Sequence, residues 1–112
     1  MRYAIPVSGG VVSTHFGHCE HFALIDVDEQ KKEIVGKELV PSPGHQPGLL
    51  PTWLAEVGVS VVIAGGMGSR AQSLFQQNRI KVIIGVLESD PERVVMNYLN
   101  GILATGDNIC DH

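Results

Sequence analysis

The stretch Val59-Ser60-Val61-Val62-Ile63-Ala64-Gly65-Gly66-Met67-Gly68 decides the fold. Apart from Ser60, its first six residues are an apolar, largely β-branched run, the pattern of a strand covered on both faces. The glycines then break it. Ser69 and Gln72 have the spacing of a capping box, so a helix is expected from Ser69, with Ala71, Leu74 and Phe75 inward. Lys81 to Val86 reads as another buried strand. Ser89 and Glu92 repeat the capping-box spacing, with Pro91 in the first turn of a last helix. Val94, Val95, Tyr98, Leu99, Ile102 and Leu103 give that helix its apolar face. Right-handed crossovers make the strands of such a strand–helix–strand–helix run parallel.

Working back toward the N-terminus, Leu49, Leu50, Trp53, Leu54 and Val57 recur at helical spacing, so residues 49–57 form an amphipathic helix. Pro51 fits only in its first turn, and Gly58 ends it. Pro41 to Pro47 holds three prolines and excludes regular structure. Tyr3–Val7, Phe22–Val27 and Glu33–Val40 read as three strands, with Asp28 to Lys32 as a hairpin turn between the last two. They suggest an antiparallel meander. The whole is an α/β chain. If the first strand lies parallel beside the later ones, three turns share one sheet edge: Ser8 to Gly10, Gly65 to Gly68, and Gly85 to Ser89. In open α/β sheets that carboxyl edge is where ligands bind.

Residues 13–22, Ser-Thr-His-Phe-Gly-His-Cys-Glu-His-Phe, leave the same edge. They put His15, His18, Cys19 and His21 within seven positions. Imidazole and thiolate ligate zinc, copper and iron, and thiolate suits soft or sulfide-bound metals. His45 and the tail residues Cys110 and His112 complete the candidate metal ligands. There is no second Cys-x-x-Cys knuckle, so a structural zinc site is not strongly signalled. Opposite this segment, the turn before Ser69 opens a helix. Helix N-termini offer unpaired N–H groups and partial positive charge, and glycine lets a ligand approach the backbone. Arg70 sits at the end unfavourable for a cation, which makes more sense if an anion lies nearby. Gly66-x-Gly68-x-x-Ala71 also matches a loose dinucleotide fingerprint, with Glu88 about where a ribose-binding acid would stand.

The chain has 112 residues, net charge −4, 44% hydrophobic and 18% charged residues. That fits a single domain over residues 1–112. No basic run offers the clustered Lys and Arg that nucleic acid needs. No signal-peptide core or membrane-length apolar run occurs, so a cytoplasmic location is expected, with Cys19 and Cys110 as thiols. No Gly-x-Ser-x-Gly elbow, Walker A loop or His-Glu-x-x-His helix is present.

Taken together, Ile5-Pro6-Val7, His15-Phe16-Gly17-His18-Cys19-Glu20-His21-Phe22 entering a strand, Val61 to Ala64 running into Gly65-Gly66-Met67-Gly68, and the Cys-x-His tail resemble the dinitrogenase iron–molybdenum cofactor biosynthesis family. The resemblance covers nearly the whole chain. It implies a ribonuclease-H-like α/β fold, with a five-stranded mixed sheet and about three helices, as read above. It also implies non-catalytic carriage or storage of a molybdenum-containing metal–sulfide cluster, with copper or iron, exchanged with donor and acceptor proteins. A polyanionic, soft cluster wants N–H donors, a guanidinium and apolar or thioether walls. Gly65, Gly66, Met67, Gly68, Ser69 and Arg70 supply that set, and Ser13, His15, Phe16, Gly17, His18 and Cys19 the facing segment. A nuclease of that fold needs several carboxylates for paired magnesium ions. The first strand, Arg2 to Ser8, has none, so nuclease activity is excluded. The other readings are a phosphorylated ligand or nucleotide at the Gly66–Ala71 turn, and a mononuclear zinc or copper site.

Overall fold

The computed structural model describes residues 1–14, 16–43 and 48–106, and of His18 only the backbone. Its elements are β1 (Arg2–Ser8), β2 (Val11–Val12), a 3-10 turn (Phe16–His18), β3 (His21–Asp28), β4 (Glu33–Pro41), α1 (Leu49–Glu56), β5 (Val59–Ile63), α2 (Ser69–Gln77), β6 (Lys81–Ile83) and α3 (Pro91–Leu99). They build an α/β fold around one mixed sheet, in the order β4-β3-β1-β5-β6. The meander β1-β3-β4 is antiparallel. β5 runs parallel to both β1 and β6.

The sheet has six strands rather than the expected five. The extra one is β2, and its origin is geometric. β5 follows β1 only as far as the Ala4–Val62 pair. Beyond it β1 has a vacant edge at Val7 and Ser8, and Val12 and Val11 turn back to fill it. Gly9 and Gly10, both at positive φ, make that reversal without a Cβ penalty. A two-residue strand has no hydrophobic period to read.

The strand expected over Lys81 to Val86 is shorter. It ends at Ile83, and Val86 makes an isolated bridge to Thr105. Both expected capping boxes are absent. α2 does begin at Ser69, but its N-cap is Gly68, which has no side chain to accept from the first-turn amides. Gln72 instead sends Nε2 to the Met67 carbonyl at 3.0 Å. In α3 the cap is Asp90, whose Oδ1 accepts from the Glu92 amide at 3.0 Å. Pro91 occupies the first helical position, which sets the cap one residue earlier, not two.

Strand alternation divides the core between two faces. On one face Ala4, Phe22, Leu24 and Val62 pack against Leu50 and Leu54 of α1 and Phe75 of α2. On the other, Tyr3, Ile5, Val7, Ile25, Val61 and Ile63 pack under Val94 and Val95 of α3. β1 and β5 are therefore covered on both sides, and their carboxyl ends emerge between layers. Among the described residues, no helix is long and apolar enough to cross a membrane.

Candidate functional site

Four chain segments meet at the carboxyl end of the parallel strands. The turn after β5 is the centre. The Gly85 amide donates to the Gly65 carbonyl at 2.8 Å, continuing the β5–β6 ladder past both strands. The Phe16 amide donates to the Gly66 carbonyl at 3.0 Å, which fixes the His/Cys segment to the glycine turn. Gly65 is the point of closest approach: a Cβ there would lie 3.2 Å from the Ser13 carbonyl oxygen and 3.3 Å from the Thr14 Cα. The Val12 amide donates to the Ser89 carbonyl at 2.8 Å, bringing in the lead to α3. Gly106, the last described residue, donates its amide to the Gly85 carbonyl. The two segments that the sequence assigned to one rim are thus side by side.

The turn has a directional polarity. Gly65 and Gly66 give their carbonyls to the Gly85 and Phe16 amides, and Met67 and Gly68 give theirs to the side-chain and backbone nitrogens of Gln72. The amides of Gly68, Ser69, Arg70 and Ala71 have no hydrogen-bond partner among the described residues. The first turn of α2 contains no acidic side chain. Arg70 is exposed and makes no ion pair with the described residues. Acceptors are spent internally while donors and a guanidinium are left outward, which is the arrangement that receives an anion.

Several named candidates have other roles. Phe16 is buried beneath the rim, its ring 5.6 Å from that of Phe22 and 5.3 Å, edge-on, from that of Phe75. It anchors the 3-10 turn and leaves Gly17 exposed above it. Met67 is 1% exposed and packs in the α1/α2 core. Its thioether is therefore core material, not an open wall. Ser13 is buried. Cys19 is buried in the cluster that holds Phe22. His21 is half-buried on β3 between Val7 and Pro41, one residue before Phe22 and so on the opposite sheet face. Cys19 and His21 do not converge. Among the described residues no three His, Cys, Asp or Glu side chains gather as a ligand set. His15, His45, Cys110 and His112, and the side chain of His18, lie outside the described residues. Glu88 is not presented to a ribose. Its Oε2 accepts from the Ser89 and Asp90 amides at 2.8 and 3.2 Å. The contributor that sequence reasoning missed is Gln72, which silences two carbonyls; Gly85, in a turn the sequence already placed on the rim, also accepts from the Gly106 amide. Gln72 was visible in the sequence but was assigned to a capping box.

Burial pushes the Cys19 thiol up to about 11. The nearby Ser42 hydroxyl works in the other direction, although its oxygen is buried without an ordinary hydrogen bond. The thiol is neutral at physiological pH. The unfolded chain releases this proton near the ordinary value of about 8.5, the folded chain only near 11. Between these values the native state binds more protons, so stability falls as pH rises. Chemical denaturation from pH 8 to 11 should show that loss, and Cys19→Ser should lessen the slope. Identical slopes would place the thiol in contact with water.

Comparison with known proteins follows the same outline. The family described as "Dinitrogenase iron-molybdenum cofactor" matches residues 1–101. An uncharacterized protein of Methanocaldococcus jannaschii, MJ0580, is 32% identical over 87 residues, 73% of this chain and 72% of that one. The crystal structure of PH0822 superposes with a TM-score of 0.85 at 30% identity, over 94% of each chain. The apo form of the orange protein from Desulfovibrio gigas shares the fold, with a TM-score of 0.74 at 24% identity, over 96% of this chain and 93% of that one. With a family match spanning residues 1–101 and a relative 32% identical over most of its length, the chain belongs to the dinitrogenase iron–molybdenum cofactor family.

Proposed function

We propose that this protein is a cytoplasmic, non-catalytic binder and carrier of an anionic metal–sulfur cluster containing molybdenum with copper or iron. The cluster is cargo, received from a donor protein and passed to an acceptor at the carboxyl rim of the sheet. One observation carries the reading: at the Gly65–Gly68 turn every carbonyl is consumed inside the protein, while the amides of residues 68–71 and the Arg70 guanidinium remain outward. A thiometallate presents many weak acceptor sulfurs and several negative charges. Rigid amides and an arginine suit it without displacing any of its sulfurs. Family membership points to the same class of cargo. In this reading Gly17, exposed on the 3-10 turn, is the wall assigned to the other side of the cluster. His15, His18, His45, Cys110 and His112 are the side chains that remain for direct ligation.

The test is anaerobic reconstitution of apo-protein with tetrathiomolybdate, alone and with copper or iron salts. Stoichiometric visible absorption that survives gel filtration is expected, with Arg70→Ala weakening retention by about tenfold, the worth of one charge-assisted contact. No retained absorption under any condition would refute carriage. No observation favours the nucleotide reading, because the acid it requires, Glu88, is engaged by its own turn.

A further inference from the structure

At the opposite end of the sheet from the rim there is a cavity of about 540 Å³. It is framed by the amino ends of β1 and β6, the β3–β4 turn and the end of α3. Its volume falls in the range of small-molecule pockets, and its walls mix apolar side chains with a few polar groups, as such pockets do.

Two features mark it as more than a surface dent. Tyr3 lines it with a ring that is almost wholly buried, while its hydroxyl, which is not among the buried oxygens left without a partner, opens onto the solvent of the cavity. Tyr3 meets Tyr98 edge-on, with ring centroids 5.8 Å apart. Tyr98 in turn accepts a hydrogen bond from Lys81 Nζ at 3.0 Å, and that ammonium stands 5.6 Å from its ring centroid. The wall therefore carries a hydroxyl open to the cavity next to a cation held by a hydrogen bond. Lys32 and the Met1 ammonium add two further positive charges and Glu29 one negative charge, an excess that suits an anionic head group. Val61 and Leu99 supply apolar surface beside it.

We propose that this cavity is a second binding site, for a small organic carboxylate. Its head is held by Lys81, Lys32 and the Tyr3 hydroxyl, and its apolar body lies against Val61 and Leu99. The site is independent of the cluster rim, and it is tested on protein that carries no cluster. Backbone amide shifts are followed by NMR as sodium benzoate or sodium acetate is added. Benzoate should give saturable shifts at Tyr3, Val61, Lys81 and Leu99, with Gly66 to Arg70 unmoved. Acetate, lacking the apolar body, should bind several-fold more weakly. Tyr3→Phe and Lys81→Gln should each weaken benzoate by about tenfold, the scale of one hydrogen bond to a charged group. Tyr3→Phe should leave the melting temperature nearly unchanged, because its hydroxyl opens onto solvent in the free protein. Absence of saturation at roughly 20 mM benzoate, well past the millimolar range of weak ligands, would overturn the proposal. So would affinity in both variants equal to that of the unaltered protein.

Discussion

Phe75→Ala should lower the stability of the folded chain by about 3–5 kcal/mol, the usual cost of emptying a buried aromatic site. That is a large share of the roughly 5–15 kcal/mol that holds a domain of this size together. The reason lies in what the ring touches. Phe75 is fully buried. It packs edge-on against Phe16, and Phe16 also meets Phe22, which lies near Trp53 of α1. The ring thus joins α2, the 3-10 turn and β3 in one cluster with Leu50 and Leu54. Its removal leaves a void among side chains from four elements, which cannot all close on it. Urea unfolding followed by circular dichroism checks this. Because Phe16 loses its partner in the same step, the rim should loosen before the sheet does, seen as faster amide exchange at residues 16–18. A loss of less than about 1 kcal/mol would mean that the cluster repacks, contrary to the close packing described.

Gly85→Ala should cost about 2–4 kcal/mol, and Gly101→Ala only about 1. The two glycines have nearly the same backbone conformation, φ +77 and +73. Any L side chain pays for that conformation at both. They differ in surroundings. A Cβ on Gly101 meets nothing within 4 Å, whereas one on Gly85 collides with the backbone carbonyl of Gly106. Backbone cannot step aside as a flexible side chain can. The segment around Gly106 must therefore lift away, breaking its bond to the Gly85 carbonyl and straining the Val86–Thr105 bridge. Thermal unfolding of the two variants separates the terms: for a domain near this size each kcal/mol moves Tm by roughly 4–8 °C. Equal shifts would show that the close approach at Gly85 is unimportant. A larger shift for Gly85→Ala, with weakened cluster retention, would tie the end of the described chain to the rim.

The main architecture was legible because it is written in long patterns. Val59 to Ala64 cannot be amphipathic, so it had to be central, and β5 is buried accordingly. Leu50 and Leu54, one helical turn apart, gave α1 its inward face. What was not legible depended on neighbours distant in sequence. β2 exists because β5 parts from β1, and no property of Val11 and Val12 announces that. The capping boxes failed for a different reason. Ser69 and Ser89 fit the local pattern, but Gly68 precedes a backbone that already turns correctly, and Pro91 fixes the α3 cap at Asp90. At the site, the residue types around Gly66 suggested an anion rim, and the segments do adjoin. The status of Cys19 and Met67 could not be read, because a thiol and a thioether serve a ligand or a core equally well. Burial assigns both to the core.

The central claim is that the glycine turn and the first turn of α2 receive the cluster. Amide chemical-shift mapping of the apo-protein with tetrathiomolybdate, under anaerobic conditions, tests it most directly. The account predicts stoichiometric perturbation of Gly68, Ser69, Arg70 and Ala71 together with Gly17, and little change at Tyr3 or Lys81. Stoichiometric binding that leaves residues 68–71 unperturbed would contradict it.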